Sequence, residues 1–231
     1  MNQETWTAVD QYIAEMLVAP DAALDAALEA SNAAGLPRIA VSPAQGKLLH
    51  ILVRLRGARR ILEIGTLGGY STIWMARALP PGGKLLSIEV DAKHAEVARA
   101  NIARAGLAAV VEVRHDAALE VLPRLKAEGI GPFELTFIDA DKASIPSYFD
   151  WALKLAAPRG LIIVDNVIRD GAVIDAASTD ASVLGVRRLN ERLRAEPRVT
   201  ATTIQTVGSK GYDGFTIALV NGDGSAHHGG R

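Results

Sequence analysis

From Arg59 onward the chain alternates between near-continuous apolar runs and stretches of helical periodicity. The runs are Arg60–Ile64, 84–88, 110–114, 135–138 and 161–164. Strands apolar at successive positions need cover on both faces, which is the situation inside a parallel sheet. The stretches between them, 71–79, 92–105, 118–128 and 147–156, predict helices. Right-handed crossovers then place helices on both sides of the sheet. After a further helix predicted at 183–195, residues 199–205 and 215–220 read as two more strands joined through a short Gly-rich return. A return that short is compatible only with an antiparallel pair. The expectation is an α/β fold, a doubly wound seven-stranded sheet, mostly parallel with an antiparallel final strand. The first 56 residues read as helices punctuated by Pro20, Pro37 and Pro43, and Ser42-Pro43 has the form of an N-cap followed by Pro at N1.

Size and charge narrow the function classes. The 231 residues are 49% hydrophobic, enough for one sizeable core. We expect a single domain over residues 1–220, with 1–56 as its helical N-terminal part. Residues 221–231, rich in Gly, Ser and His, are expected to be a disordered tail containing His227 and His228. With 25 basic and 26 acidic residues the net charge is −1, which argues against nucleic acid or an anionic membrane as partner. The absence of cysteine excludes disulfides, thiolate ligands and a Cys nucleophile. No apolar run is long enough to span a bilayer, and residues 1–16 lack the pattern of a signal peptide, so the expected location is cytoplasmic.

Two of the predicted strands end abruptly in polar groups. Phe137-Ile138 runs into Asp139-Ala140-Asp141-Lys142, and Ile163-Val164 runs into Asp165-Asn166. Asp139, Asp165 and Asn166 offer hard oxygens of the kind that bind Mg²⁺ or Ca²⁺. They stand at strand C-termini, where open α/β sheets bind ligands. Lys142, one short turn on, is placed to handle a proton. The same residue types also serve as helix caps and turn formers, and either use fits each run taken alone.

A second set of acids belongs to the first two strands. Glu63-Ile64-Gly65-Thr66-Leu67-Gly68-Gly69-Tyr70-Ser71 follows strand one and opens a helix. The spacing is not that of the dinucleotide fingerprint, which argues against an NAD dehydrogenase. A carboxylate at Glu63 would repel a pyrophosphate and suits a cofactor carrying an amino group. Strand two ends in Glu89, placed to accept ribose hydroxyls, while Asp91 suits the cap of the next helix.

Taken together, Leu62-Glu63-Ile64-Gly65, Gly69-Tyr70-Ser71, Ile88-Glu89, Asp139-Ala140-Asp141-Lys142 and Asp165-Asn166 resemble the cation-dependent O-methyltransferases. This is the group of catechol and caffeoyl-coenzyme A O-methyltransferases, and the likeness covers residues 39–220. The resemblance implies a Rossmann-like fold, S-adenosylmethionine (SAM) as methyl donor and a divalent cation, Mg²⁺ first, with Ca²⁺ or Mn²⁺ as alternatives. By position it implies that Glu63, Gly65, Thr66 and Ser71 hold the methionine end and that Glu89 takes the ribose. Ala118 would lie by the adenine, Val41 by the cofactor entrance and Asp141 by the cofactor amino acid. Asp139, counted also among the cofactor-binding positions, would ligate the cation with Asp165 and Asn166, and Lys142 would be the general base. Implied too are a small phenolic acceptor with two adjacent hydroxyls and a homodimer. Asp116, Ile145 and Asp170 depart from residues common in that family. A hydroxylated uridine in transfer RNA is the alternative acceptor, and a non-catalytic nucleoside-binding module is the alternative outside catalysis.

Overall fold

The computed structural model describes residues 2–222. Three helices come first, α1 (Gln3–Leu17), α2 (Ala22–Ala33) and α3 (Pro43–Arg56). Each starts on a capping side chain that accepts backbone N–H groups of the first turn, from Asn2, Asp21 and Ser42 respectively. Pro43 occupies the first turn of α3, and Gly57 closes that helix in the left-handed conformation. The alternating part then follows as β1 (Arg60–Ile64), α4 (Tyr70–Ala76), β2 (Lys84–Glu89), α5 (Ala92–Arg104), β3 (Val111–His115), α6 (Ala118–Ala127), β4 (Phe133–Ile138), α7 (Ile145–Leu155), β5 (Ala156–Asp165), α8 (Ala181–Ala195), β6 (Val199–Gly208) and β7 (Gly211–Val220). Among the described residues no helix is long and apolar enough to cross a membrane.

The strand order is β3-β2-β1-β4-β5-β7-β6, with β1 to β5 parallel and β7 antiparallel to both its neighbours. The seven strands, the mostly parallel sheet and the antiparallel last strand are therefore as the apolar pattern predicts. Side chains alternate between faces with period two. Leu62, Ile64, Leu86, Ile88, Ile138 and Val164 pack on one face against α6, α7 and α8. Ile61, Leu85, Leu135, Phe137 and Ile163 pack on the other against α3, α4 and α5.

Three details differ from the pattern. β5 begins at Ala156, well before the expected 161, because Ala156 pairs with Phe133 ahead of an irregularity in the β4–β5 register. The stretch Pro158-Arg159-Gly160 that follows carries no strand pattern, and Arg159 has a φ of 61°. The β6–β7 return is tighter than expected, leaving only Ser209 and Lys210 between the strands. Asn221, expected to open the tail, is tied to the sheet end: its backbone N–H donates to the Arg198 carbonyl at 2.7 Å and its amide to the Pro197 carbonyl at 2.9 Å. Residues 223–231 of the expected tail, with His227 and His228, lie outside the described residues. A groove of about 660 Å³ lined by Arg60, Lys84, Val111 and Gly131 opens at the N-terminal ends of the strands, opposite the acids.

Candidate active site

The sheet register brings the two acidic runs side by side. Phe137 pairs with Ile163 and Ile138 with Val164, so Asp139 and Asp165 are neighbours on the next rung. Adjacent strands lie roughly 4.8 Å apart. By the same alternation both carboxylates belong to the face of Phe137 and Ile163, the α3 side. Asp165 is buried, and Gln45 on α3 donates from Nε2 to its Oδ2 at 2.8 Å. Burial first, and then the charge of Asp139, push Asp165 up to about 7. Immediately after it the chain turns left-handed at Asn166, φ 56°, whose N–H donates to Asp165 Oδ1 at 2.9 Å.

Two lysines face this pair. Lys142 Nζ lies 2.8 Å from Asp139 Oδ1, and its side chain is only 10% exposed. Lys210, at the tip of the β6–β7 hairpin, donates to the Arg38 carbonyl at 2.9 Å. Burial pushes its ammonium down, while the charges of Asp139 and Asp165 act the other way. Asp141, next to Lys142 in sequence, is turned elsewhere. It accepts the Ser144 N–H at 3.0 Å and the Tyr148 hydroxyl at 2.5 Å. Burial pushes Asp141 up, yet these hydrogen bonds outweigh it and hold the carboxyl below its ordinary range.

On the β1 and β2 side the acids are engaged by the glycine loop. Glu63 has no exposed surface. Its Oε1 accepts from Ser71 Oγ at 2.6 Å, and its Oε2 from Thr72 Oγ1 at 2.5 Å and Ser87 Oγ at 2.6 Å. Burial nonetheless pushes it up to about 7. The Ser71 hydroxyl donates inward to Glu63, which leaves its oxygen lone pairs unused by that bond. Glu89 Oε2 accepts the N–H groups of Thr66 and Leu67 at 3.0 and 2.8 Å, and Oε1 that of Asp91 at 3.0 Å. Asp91 is the N-cap of α5, as expected. His94 Nδ1 stands 3.7 Å from Glu89 Oε1, a partner the sequence did not announce. Gly65, φ 95°, lets β1 leave the sheet against β4, since a Cβ there would meet the Asp139 carbonyl oxygen at 2.1 Å.

The remaining expected positions surround this loop or precede the site. Ala118 is buried at the start of α6, directly after the Ala117 cap. Asp116 accepts the Ala117 N–H at 2.8 Å and pairs with Arg124. Val41 is buried just before the Ser42 cap of α3. Ile145 is fully buried in the core, and Asp170 sits in a left-handed backbone, φ 54°. Sequence reasoning missed Gln45 and Lys210. Ser42-Pro43-Ala44-Gln45 reads as a capping box, in which Gln45 would fold back on its own helix. The acid of another strand takes that amide instead, and nothing local signals it.

Two carboxylates forced together, an adjacent amide and a lysine make an arrangement that a small hard cation would stabilise, because its charge relieves the repulsion felt by Asp165. Among the described residues no group of three or more His, Cys, Asp or Glu is placed to hold a metal. The set here contains two carboxylates, and its third oxygen is an amide. The donor chemistry fits a divalent cation with open positions for oxygen ligands.

Comparison with known proteins adds an independent line. A family model described as O-methyltransferase matches residues 16–219. The catechol O-methyltransferase of Niastella koreensis (strain DSM 17620 / KACC 11465 / NBRC 106392 / GR20-10) is 52% identical over 220 residues, covering 95% of this chain and all of that protein. A solved O-methyltransferase from Bacillus cereus in complex with SAH superposes with a TM-score of 0.94 at 55% identity, covering 95% of this chain and 100% of that one. TomG, an O-methyltransferase from Streptomyces achromogenes involved in tomaymycin synthesis and solved with SAM, gives 0.93 at 55% identity, covering 96% and 100%.

Proposed function

This chain belongs to the O-methyltransferase family, and we propose that it transfers a methyl group from SAM to one hydroxyl of a catechol-like small molecule with the help of a divalent cation. The relatives named for catechol O-methylation and the structures holding SAM and SAH support the donor and the reaction class. The observation that carries the finer reading is the rung of the sheet that sets Asp139 beside Asp165 with Lys142 against it. Asp139, Asp165 and Asn166 would hold the cation. When bound, it would orient two adjacent hydroxyls and make one of them easier to ionise. The donor supplies an already activated methyl group, so alignment is the main demand on the protein.

The chain's own residues divide that work. Lys142, desolvated beside Asp139, would take the hydroxyl proton. Ser71, locked by Glu63, would accept from the cofactor amino group, and Glu89 would accept from the ribose while still bracing the Thr66 and Leu67 amides. Gln45 keeps Asp165 from swinging away. A transfer RNA acceptor is not favoured, because the chain as a whole carries a net charge of −1 and so lacks the excess of positive charge that neutralises phosphates. A cytoplasmic location and a homodimer complete the reading.

Turnover of catechol with SAM, with and without Mg²⁺, tests it. Chelation or Asp165→Ala should lower turnover by about a hundredfold or more, while calorimetry still detects SAM binding. Lys142→Met should cost about 10²- to 10⁴-fold in kcat. Full turnover by chelated protein would remove the cation from the mechanism, and an unchanged rate in Lys142→Met would remove the base.

A further inference from the structure

The groove at the N-terminal ends of the strands lies across the sheet from the acids. β1 and β2 start in it with Arg60 and Lys84 and end at the glycine loop and Glu89, so Lys84 and Glu89 stand roughly 16 Å apart along β2. The register pairs Arg60 with Lys84. Two cations therefore share one rung, where adjacent strands are roughly 4.8 Å apart, and like charges held that close repel. Among the described residues neither forms a salt bridge.

Each leans on a backbone carbonyl instead. Arg60 Nη1 donates to the Gly131 carbonyl at 2.5 Å, on the β4 side, and Lys84 Nζ to the Ala109 carbonyl at 2.6 Å, on the β3 side. Both carbonyl residues line the groove, with Leu86, Val111, Ile130 and Phe133. The head groups are thus drawn to opposite walls above an apolar lining, and each keeps further N–H donors. Glu134 accepts the Arg60 backbone N–H at 2.6 Å, not its guanidinium. Glu112, the one carboxylate among the lining residues, is taken by Arg114, whose Nε lies 2.7 Å from its Oε1.

We propose that this groove is a second binding site, separate from the acids, for a small aromatic monoanion: a flat apolar body carrying one carboxylate or sulfonate. A volume of about 660 Å³ is that of a small-molecule site. Arg60, Lys84 and Glu112 together leave the lining one net positive charge, which one anionic group neutralises. An anion between the head groups relieves their repulsion. A planar guanidinium stacks on a ring face as well as pairing with an anion, and the ring covers apolar surface that water now touches. The site does not depend on the methyl-transfer reading, because none of these residues belongs to it.

Fluorescence titration of the full chain with anilinonaphthalene sulfonate, with and without SAM, tests it. Saturable binding should be the same in both conditions. It should weaken by about tenfold in an Arg60→Gln, Lys84→Gln double variant and tighten in Glu112→Gln, where Arg114 keeps Glu128 as partner. Uncharged phenylnaphthylamine should bind wild type and double variant alike, which separates a lost charge from a damaged fold. Naphthoate should displace the probe at lower concentration than decanoate. Equal probe affinity in wild type and double variant, release of the probe by SAM, or no saturation at millimolar probe would overturn the proposal. So would stronger displacement by decanoate, or probe binding lost in Tyr12→Glu, Met16→Glu instead, which would place the probe on α1.

Discussion

A carboxylate with no exposed surface must be paired, well hydrogen-bonded or protonated. Glu63 meets the requirement with three hydroxyl donors and, among the described residues, no cationic side chain in contact. Burial still raises its pKa from 4.5 to about 7. Below pH 4.5 the group is protonated whether the chain is folded or not. Between 4.5 and 7 the unfolded chain ionises it while the folded chain keeps the proton, so the folded state loses stability as pH rises through that window. The loss is on the order of 3 kcal/mol. Asp165, also raised to about 7, adds a loss of the same sign. Glu63→Gln should remove only the first part. Urea denaturation at pH 5 and pH 8, without cofactor, should show wild type losing more stability than Glu63→Gln across that interval. Parallel losses would show that Glu63 is ionised in the folded protein throughout.

The elements that form the site depend on close backbone approach where β1 gives way to α4. Gly65 and Gly106 both have positive φ, 95° and 75°. A Cβ on Gly65 would meet the Asp139 carbonyl oxygen at 2.1 Å, whereas a Cβ on Gly106 meets nothing within 4 Å. Gly106→Ala therefore carries backbone strain alone, about 1 kcal/mol. Gly65→Ala adds a clash with backbone that has no rotamer to escape into, and should cost at least about 3 kcal/mol. Because the displaced peptide carries Asp139, the same variant should lose turnover beyond what partial unfolding explains. Denaturation midpoints of the two variants, with kcat measured well below them, would check both parts. Equal destabilisation would mean that the strand ends yield more easily than their packing suggests.

On the scale of the whole molecule, α1 stands out because none of its fifteen residues is buried. Val9, Tyr12 and Met16 recur at helical spacing on it, and Tyr12 and Met16 are 63% and 65% exposed. A helix with an apolar stripe gains stability from packing that stripe against something. The outer strand β6 beside it also exposes Ile204 and Val207. A second copy of the chain would cover both surfaces. Sedimentation should give a dimer for the wild type and a monomer for the Tyr12→Glu, Met16→Glu double variant, and a wild-type monomer at high concentration would dismiss the pairing. Asp10 and Gln3 join α1 to the hairpin that carries Lys210.

The doubly wound sheet was legible because β1, β2, β4 and β5 contain apolar runs that need burial on both faces, and each run is punctuated by residues that end it. The candidate acids were legible for the same reason, since Asp139, Asp165 and Glu89 interrupt runs at points where a strand must stop. β5 began earlier than its pattern because pairing with β4, not side-chain chemistry, holds Ala156 in the sheet. The partners of the acids were not legible. Gln45 looks like the closing residue of a capping box, and Lys210 looks like a solvated lysine in a turn. Periodicity assigns a residue to a face of its own element, but the residue it meets there depends on which element is folded opposite. The sequence by itself determined the order of strands and helices and the residue types at the strand ends. Only the tertiary structure set Asp139 beside Asp165, sent Gln45 across from α3 and brought Lys210 to the Arg38 carbonyl, because the last two contacts join residues 120 and 172 positions apart.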